Sequence, residues 1–146
     1  MARRFTLSEA ERLLPDVDRS IRRAIELKSE YEEAEGMLNA LARRVTIAGG
    51  SLVNRGFVIE RKTTRDRSAE GLRSAIERIQ EIGCLIKDLD VGLVDFPTLF
   101  RGEEVYLCWK LGETGIGFWH GTQEGFSGRK AIDREFLENH RGDPPN

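Results

Sequence analysis

The sequence predicts an α+β protein in which a long antiparallel helical hairpin, coiled-coil-like in character, precedes a small antiparallel β-meander of about four strands. Three observations predict this fold. Apolar residues recur every three or four positions through most of the first 83 residues, which is the period of an amphipathic helix. A glycine-rich reversal interrupts that pattern near residue 50. Beyond Gly83 the period falls to about two, and β-branched and aromatic residues become more frequent.

Length and charge set the broad class of the protein. A chain of 146 residues is expected to form a single domain, with a helical hairpin over 1–83, a β region over 84–132, and a short helix with a mobile tail over 133–146. The 23 basic and 25 acidic side chains nearly cancel, which excludes a basic nucleic-acid-binding module. No apolar stretch resembles a signal peptide or a membrane span, so a cytoplasmic protein without nucleic-acid or membrane partners is expected.

The first helix is predicted to begin at a capping box. Thr6 and Glu9 are spaced so that each side chain accepts the other's backbone N–H, and Phe5 is placed to pack on Ala10. Pro15 has no amide hydrogen, so the helix is expected either to kink there or to restart with Pro15 in its first turn. The apolar stripe that follows comprises Leu14, Val17, Ile21, Ala24, Tyr31, Leu38, Ala42 and Val45.

A chain reversal is predicted between Ile47 and Phe57. This segment contains Gly49-Gly50, Asn54 and Gly56, residues that tolerate dihedral angles unsuited to a helix. A second helix follows, and Gly83 is expected to end it in the left-handed conformation. Its apolar positions are Ile59, Ala69, Leu72, Ile76, Ile79 and Ile82. The sequence leaves open whether the seam between the two helices is covered within the chain or by a second copy.

Four strands are predicted near residues 84–88, 93–96, 105–111 and 116–120. Turns at 90–92, 101–103 and 112–115 separate them, and such short connections imply an antiparallel meander. One face of this sheet is expected to pack on the helices. A short helix is predicted within 131–140, followed by a mobile polar tail.

The segment from Asp88 to Arg129 carries most of the chemically distinctive residues and a recognisable pattern. Four of its motifs resemble the signature of a small bacterial family known as domain of unknown function 2203. They are DLDVGLVDFP, VYLCWKLGE, the WH pair and GFSGR. FTLSEAERLLPDV near the start and IGCLIKDLD agree with it. The resemblance implies a helical hairpin followed by a β region. It implies no activity, cofactor or catalytic residue.

The candidate binding residues lie within this segment and are mostly acidic. Carboxylates at alternate positions of a strand or turn could gather a hard cation. An aspartate just before a glycine more often hydrogen-bonds to its own turn, so neither a metal nor a cofactor is expected here. The candidates are Asp88, Asp90, Asp95, Glu113, Trp119, His120 and Arg129.

Cys108 and His120 could act together only if they share a face of the sheet. With Leu111 opposite Ile116 they lie on opposite faces, whereas a shorter turn shifts the register and places them on the same face. The first register is favoured because it groups the large apolar side chains on one face. It predicts an inert core cysteine, a hydrogen-bonded structural histidine, and no zinc site.

The GFSGRK segment ends the candidate region with two glycines, a hydroxyl and two cations. Arg129 could hold an anion there, but an internal ion pair with Asp95 or Glu113 is the favoured interpretation.

The leading hypothesis is an interaction or scaffold module that acts through its helical hairpin, as a homo-oligomer or with a protein partner, and it requires no enzymatic activity. The alternative is a small-molecule or anion site, with or without enzymatic activity, around Asp95, Glu113, His120 and Arg129.

Overall fold

The computed structural model describes residues 3–47 and 54–144 and confirms the α+β prediction. Two long helices are followed by an antiparallel sheet with a short helix near its end. The elements are α1 (Leu7–Ile47), α2 (Arg55–Ile82), β1 (Leu85–Asp88), β2 (Leu93–Phe100), β3 (Glu103–Lys110), β4 (Phe118–Gly121), a 3-10 turn (Phe126–Gly128), β5 (Lys130–Ala131), α3 (Arg134–Asn139) and β6 (His140–Arg141).

Helix α1 begins at the predicted capping box. The Thr6 backbone N–H donates to Glu9 Oε1 at 2.9 Å, and the Glu9 N–H donates to Thr6 Oγ1 at 3.1 Å. Phe5 is fully buried, and its ring meets Phe96 edge-on at 5.5 Å. The helix does not restart at Pro15, which lies inside one continuous element.

The start of α2 corrects the predicted reversal in part. Gly56 and Phe57 belong to the helix, because Asn54 caps it by accepting the Phe57 N–H at 3.0 Å. The Gly49-Gly50 pair lies outside the described residues. The end of α2 is as predicted: Gly83 has φ +111°, and its N–H donates to the Gln80 carbonyl at 3.0 Å.

The sheet has six paired strands rather than about four. Its order is β1-β2-β3-β4-β5, with β6 pairing the far end of β2, and every pairing is antiparallel. β5 and β6 have two residues each, too few to show a period in the sequence. In the described part of the segment predicted as a mobile tail, Arg141 belongs to β6, which pairs with β2, and the Asp143 N–H donates to the Arg4 carbonyl at 3.0 Å.

Strand β2 runs through Pro97, whereas the sequence predicted an end at Phe96. Along one edge of β2, β1 pairs with residues 93–95 and β6 with residues 99–100, so Pro97 lies between the two partners. No ladder hydrogen bond is lost there through the missing N–H. The Pro97 carbonyl accepts the Phe5 N–H at 2.7 Å and so extends the sheet edge toward the start of α1.

The described chain forms two compact units. We call residues 23–76 the hairpin unit, and the described residues 3–22 and 77–144 the sheet unit. In the sheet unit, Arg78 forms a two-point ion pair with Asp16 at 3.0 and 2.7 Å. In the hairpin unit, the Ser68 hydroxyl donates to Glu30 at 3.3 Å and Arg65 lies 3.7 Å from Glu35.

The predicted apolar stripes are buried to different degrees. Leu14, Val17, Ile21 and Ala24 of α1 are buried, as is Ile79 of α2. The positions that are only half-buried are Tyr31, Leu38, Val45, Leu72, Ile76 and Ile82, and the exposed ones are Ala42, Ile59 and Ala69. Among the residues that the structure describes, no helix has the length and apolar character needed to cross a bilayer.

The inner face of the sheet forms the main core. Alternation places Val94 and Phe96 of β2 beside Trp109 and Leu107 of β3, and all four are fully buried. The opposite face of these strands carries the polar candidates.

Candidate functional site

The pairing of β3 with β4 overturns the favoured register. Tyr106 lies opposite His120 and Leu107 opposite Trp119, one residue away from the predicted alignment. The cause is a turn built on Glu113: its side chain accepts the Lys110 N–H at 2.8 Å, and its carbonyl accepts the Trp109 indole N–H at 3.0 Å. β3 therefore ends at Lys110, and the predicted pairing of residues 111 and 116 does not form.

The observed register places Cys108 and His120 on the same face. Asp95 of β2 lies opposite Cys108, and its side chain is on the same face as those of Cys108 and His120. Three neighbouring strands therefore each contribute one side chain to this face. Asp95 and Cys108 are fully buried and His120 is 2% exposed. One donor atom of each residue lies within 4.8 Å of the donor atoms of both others. We call this set the Asp–Cys–His cluster.

His120 is held through both ring nitrogens. Its Nε2 lies 3.1 Å from Asp95 Oδ1, and its Nδ1 lies 2.8 Å from the Gly121 carbonyl. The Tyr106 ring meets the imidazole edge-on at 5.6 Å, and Lys87 Nζ lies 4.8 Å from the centre of that tyrosine ring. His120 is thus a hydrogen-bonded buried residue, as predicted, although its neighbours differ from those expected.

Burial controls the protonation of the two acidic members of the cluster. It raises the pKa of Asp95 above the usual range, although His120 and Lys87 act in the opposite direction. Burial, together with the nearby Asp95 charge, raises the pKa of the Cys108 thiol to about 11 while Arg129 opposes the shift. Cys108 is therefore a neutral thiol near pH 7, which does not suit a nucleophile.

Arg129 forms the internal ion pair that the sequence favoured, with Glu113 as its partner. The guanidinium meets the carboxylate at two points, 3.1 and 2.7 Å. It also lies between two rings, 4.0 Å from the centre of Phe118 and 4.1 Å from that of Phe126. Its Nη1 reaches Cys108 Sγ at 4.0 Å. An anion binding here would have to displace Glu113.

Glu113 is an acid stabilised in its charged form. Burial alone would raise its pKa, but the hydrogen bonds from Arg129 and the Lys110 N–H, with the nearby positive charges, outweigh burial and lower the pKa.

The remaining candidates lie apart from the cluster. Asp88 and Asp90 are exposed, and Asp88 Oδ1 accepts the Asp90 N–H at 3.0 Å, which is turn chemistry. Trp119 points to the opposite face from His120, where its ring stacks on Phe136 at 4.9 Å. Of the seven candidate residues, the structure brings together Asp95 with His120, and Glu113 with Arg129.

Sequence reasoning missed three contributors. Cys108 was weighed but separated from His120, which the favoured register placed on the opposite face, and neither Tyr106 nor Phe126 was considered as a contributor. Tyr106 stands two residues before Cys108 on one strand, so alternation alone places both side chains on one face and could have identified it. Phe126 lies three residues before Arg129, and an aromatic residue close to an arginine in sequence is the signal for ring packing.

A groove of about 450 Å³ lies in the sheet unit beside Tyr106, and none of the three cluster residues lines it. Tyr106 lines the groove and also contacts His120, and it shares that lining with Arg3, Leu85 and Glu104. The groove therefore leads from solvent to the side chain that covers the histidine.

Comparison with known proteins identifies a family and no activity. No curated protein and no solved structure matches the chain at a significant level. The model of the family described as "Uncharacterized conserved protein (DUF2203)" matches residues 3–132, which is most of the chain. The match agrees with the resemblance seen in the sequence. The chain belongs to the DUF2203 family.

Proposed function

We propose that the protein is a self-associating interaction module, in which the hairpin unit of one copy packs antiparallel against the hairpin unit of a second. The observation that carries this proposal is the incomplete burial of the apolar seam between α1 and α2. Two helices can cover only one side of each other, so apolar residues at the margins of the seam need a further surface.

Burial within the hairpin unit supports the proposal. Leu38, Leu41 and Leu72 are only half-buried between the helices. Met37 and Phe57 are each 37% exposed. Arg61 brings these two together: its Nη1 lies 3.9 Å from Met37 Sδ, and its guanidinium carbon lies 5.5 Å from the Phe57 ring centre. We call Met37, Phe57 and the stem of Arg61 the apolar patch.

Charge on the same unit favours a second copy as the occupant. The stretch 30–35 of α1 contains four glutamates, and the stretch 61–67 of α2 contains four basic residues and one aspartate. Arg65 and Glu35 already pair within one chain. An antiparallel copy would bring the exposed Glu32 and Glu33 of one chain beside the exposed Lys62 and Arg67 of the other. Glu33 and Met37 are four residues apart on one helix and so share a face, which places an exposed acid beside the apolar patch. A surface that is complementary to itself is what a two-fold dimer requires.

Sedimentation velocity over a wide concentration range tests the proposal. We expect a monomer–dimer equilibrium that Met37→Glu combined with Phe57→Glu weakens at least about tenfold, since both changes introduce charge into the patch. Val91→Glu in the sheet unit is the matched control, because Val91 is a 46% exposed apolar residue outside the hairpin. Circular dichroism establishes that each variant is folded.

Charge exchange identifies the orientation of the copies. Arg67→Glu alone and Glu33→Lys alone should each weaken the dimer, and the double variant should recover it, because each acidic stretch then again faces a basic one. A chain that remains monomeric at every concentration would overturn the proposal, as would a dimer unaffected by all four hairpin changes.

A reducing compartment fits this proposal. Cys84 and Cys108 are both free and buried, and burial raises the pKa of Cys84 to about 12. Such thiols persist without oxidation in the cytoplasm, and we propose that location for the protein.

A further inference from the structure

The Asp–Cys–His cluster contains three donor atoms of the kinds that bind transition metals. The oxygen comes from Asp95 of β2, the sulfur from Cys108 of β3 and the nitrogen from His120 of β4. Asp95 and Cys108 are 0% exposed and His120 is 2% exposed. Buried carboxylates ordinarily satisfy both oxygens with hydrogen bonds. Among the described residues, Asp95 Oδ2 is buried and has no nitrogen or oxygen hydrogen-bond partner, and the Cys108 thiol is the one neighbouring side chain besides His120 that interacts with this carboxylate through a hydrogen bond.

The hydrogen bonds of His120 direct a ring lone pair toward Asp95. A carbonyl can only accept, so the contact with the Gly121 carbonyl at 2.8 Å assigns the hydrogen to Nδ1. The Nε2 lone pair of a neutral imidazole then points at Asp95 Oδ1, 3.1 Å away, and two lone pairs face each other. Either a proton or a metal ion has to lie between them, and the other two observations on the cluster favour the metal ion.

We propose that Asp95, Cys108 and His120 bind a divalent transition metal ion of the zinc class. Zinc accepts carboxylate oxygen, thiolate sulfur and imidazole nitrogen together, whereas calcium and magnesium bind oxygen ligands. A bound ion accounts for three properties of the cluster. It lies between the facing lone pairs, it gives the buried carboxylate a partner, and it replaces the thiol hydrogen of Cys108.

The geometry of the cluster is close to that of a tetrahedral site. Two ligands at about 2.0–2.1 Å from zinc and at the tetrahedral angle lie about 3.3 Å apart. The Nε2–Oδ1 distance of 3.1 Å already matches this value. The three donor atoms lie within 4.8 Å of one another, so the most widely separated pair has to move closer by up to about 1 Å when the ion binds. With one carboxylate and one thiolate, the two negative charges of the ligands neutralise the ion, so the buried site carries no net charge.

The residues around the cluster suit the same role. The Gly121 carbonyl fixes the ring orientation of His120, which is the usual outer contact of a ligating histidine. Arg129 reaches the Cys108 sulfur at 4.0 Å and is itself positioned by Glu113. Three protein ligands leave the fourth tetrahedral position for water or an exogenous ligand, and the groove beside Tyr106 is the route by which either would enter.

Titration of the full-length reduced protein with Co²⁺ or Zn²⁺ alone tests the proposal. We expect about one equivalent to bind per chain, with the absorption bands of tetrahedral Co²⁺ and a sulfur-to-cobalt charge-transfer band in the near ultraviolet. Competition with a chromophoric chelator gives the zinc affinity. Zinc should also raise the melting temperature of the wild type, because the ion binds the folded state.

The two cysteines provide a matched pair of variants. Cys108→Ser should abolish the charge-transfer band and weaken zinc binding by at least about 100-fold. Cys84→Ser removes the other buried thiol, which lies outside the cluster, and should leave both unchanged. Asp95→Asn should weaken zinc binding while retaining the band.

Two results would overturn the proposal. One is a wild-type protein that binds neither ion, in which case Asp95 and His120 form a buried proton-mediated pair. The other is a Cys108→Ser variant that binds zinc as tightly as the wild type. If a cluster variant fails to fold, X-ray absorption of the zinc-loaded wild type decides the matter, because the proposal requires one sulfur and at least one imidazole nitrogen bound to zinc.

Discussion

The sheet unit and the hairpin unit bury very different side chains. Trp109, Phe96 and Phe136 are at most 1% exposed in the sheet unit. In the described part of the hairpin unit, the residues that reach full burial are Ala24, Leu27, Ala34 and Ser68, of which one is larger than valine. A sheet packed on helices encloses a large ring from several directions, whereas two helices enclose only small groups along one line. The comparison indicates that the sheet unit has a complete core and the hairpin unit does not.

The largest expected effect comes from truncating a core aromatic in the sheet unit. Trp109→Ala should lower the free energy of unfolding by about 3–5 kcal/mol, since it leaves a cavity and removes the indole hydrogen bond to the Glu113 carbonyl. Leu38→Ala in the hairpin unit should cost only about 1 kcal/mol in the monomer, because Leu38 is already half-exposed. Chemical denaturation of dilute protein measures both, and equal costs would contradict the comparison.

Two glycines of the sheet unit distinguish the cost of a steric clash from the cost of a left-handed backbone conformation. Gly92 has φ +73°, and a Cβ there would lie 2.5 Å from Leu111 Cβ. Gly102 has φ +82° and nothing within 4 Å of the corresponding position. Gly102→Ala should therefore cost about 1–2 kcal/mol from the left-handed conformation alone. Gly92→Ala should cost about 2–4 kcal/mol, because the clash adds to it. Equal losses in denaturation experiments would show that Leu111 moves aside freely.

The Glu113–Arg129 pair gives the sheet unit an acid-dependent contribution to stability. The folded-state pKa of Glu113 lies below its ordinary value of 4.5, so the contribution is complete above about that pH and is lost as the pH falls through the lowered value. Glu113→Gln should cost about 1–3 kcal/mol at neutral pH and should flatten the stability profile below pH 4.5.

Denaturation between about pH 2.5 and 7 provides that measurement, because this range spans the loss of the carboxylate charge. Glu124→Gln is the control, because Glu124 forms an exposed pair with Lys130 and should change the profile far less. A profile for Glu113→Gln that parallels the wild type would show that the ion pair does not contribute.

The smallest expected effects come from two of the glycines within the hairpin helices. Gly36 is exposed, and nothing lies within 4 Å of the position that an alanine methyl group would occupy. Gly36→Ala should therefore stabilise the protein by about 1 kcal/mol through helix propensity alone. A Cβ at Gly71 would lie 2.9 Å from Leu27 Cδ1, the movable end of a side chain, so Gly71→Ala should stabilise by less. A strongly destabilising Gly71→Ala in thermal melts would show a more rigid seam than we describe.

Local signals in the sequence were sufficient for the helices. The Thr6–Glu9 box and the left-handed Gly83 involve only residues within a few positions of each other, and both formed as predicted. The register of β4 could not be obtained in this way. It depends on Glu113 ending β3 and on Glu11 of α1, whose Oε2 accepts the Ile116 N–H at 3.4 Å across 105 positions.

The candidate site was predictable in its parts but not in its arrangement. The Arg129 ion pair follows from residue types within 16 positions, and it was expected. The Asp–Cys–His cluster requires β2, β3 and β4 to be aligned simultaneously. A one-residue slip between β3 and β4 moves His120 to the other face, so a single wrong turn length removed the cluster from the prediction.

The first turn of α1 is hydrogen-bonded to His140, a residue that is translated much later than the helix. The Leu7 amide donates to His140 Nε2 at 3.0 Å, across 133 positions of sequence. During synthesis Leu7 leaves the ribosome long before His140 has been translated, so this amide must remain bound to water until the C-terminal segment emerges. The first turn of α1 therefore reaches its final form only after His140 has emerged, and a ribosome-stalled chain lacking His140 should show rapid hydrogen exchange at Leu7.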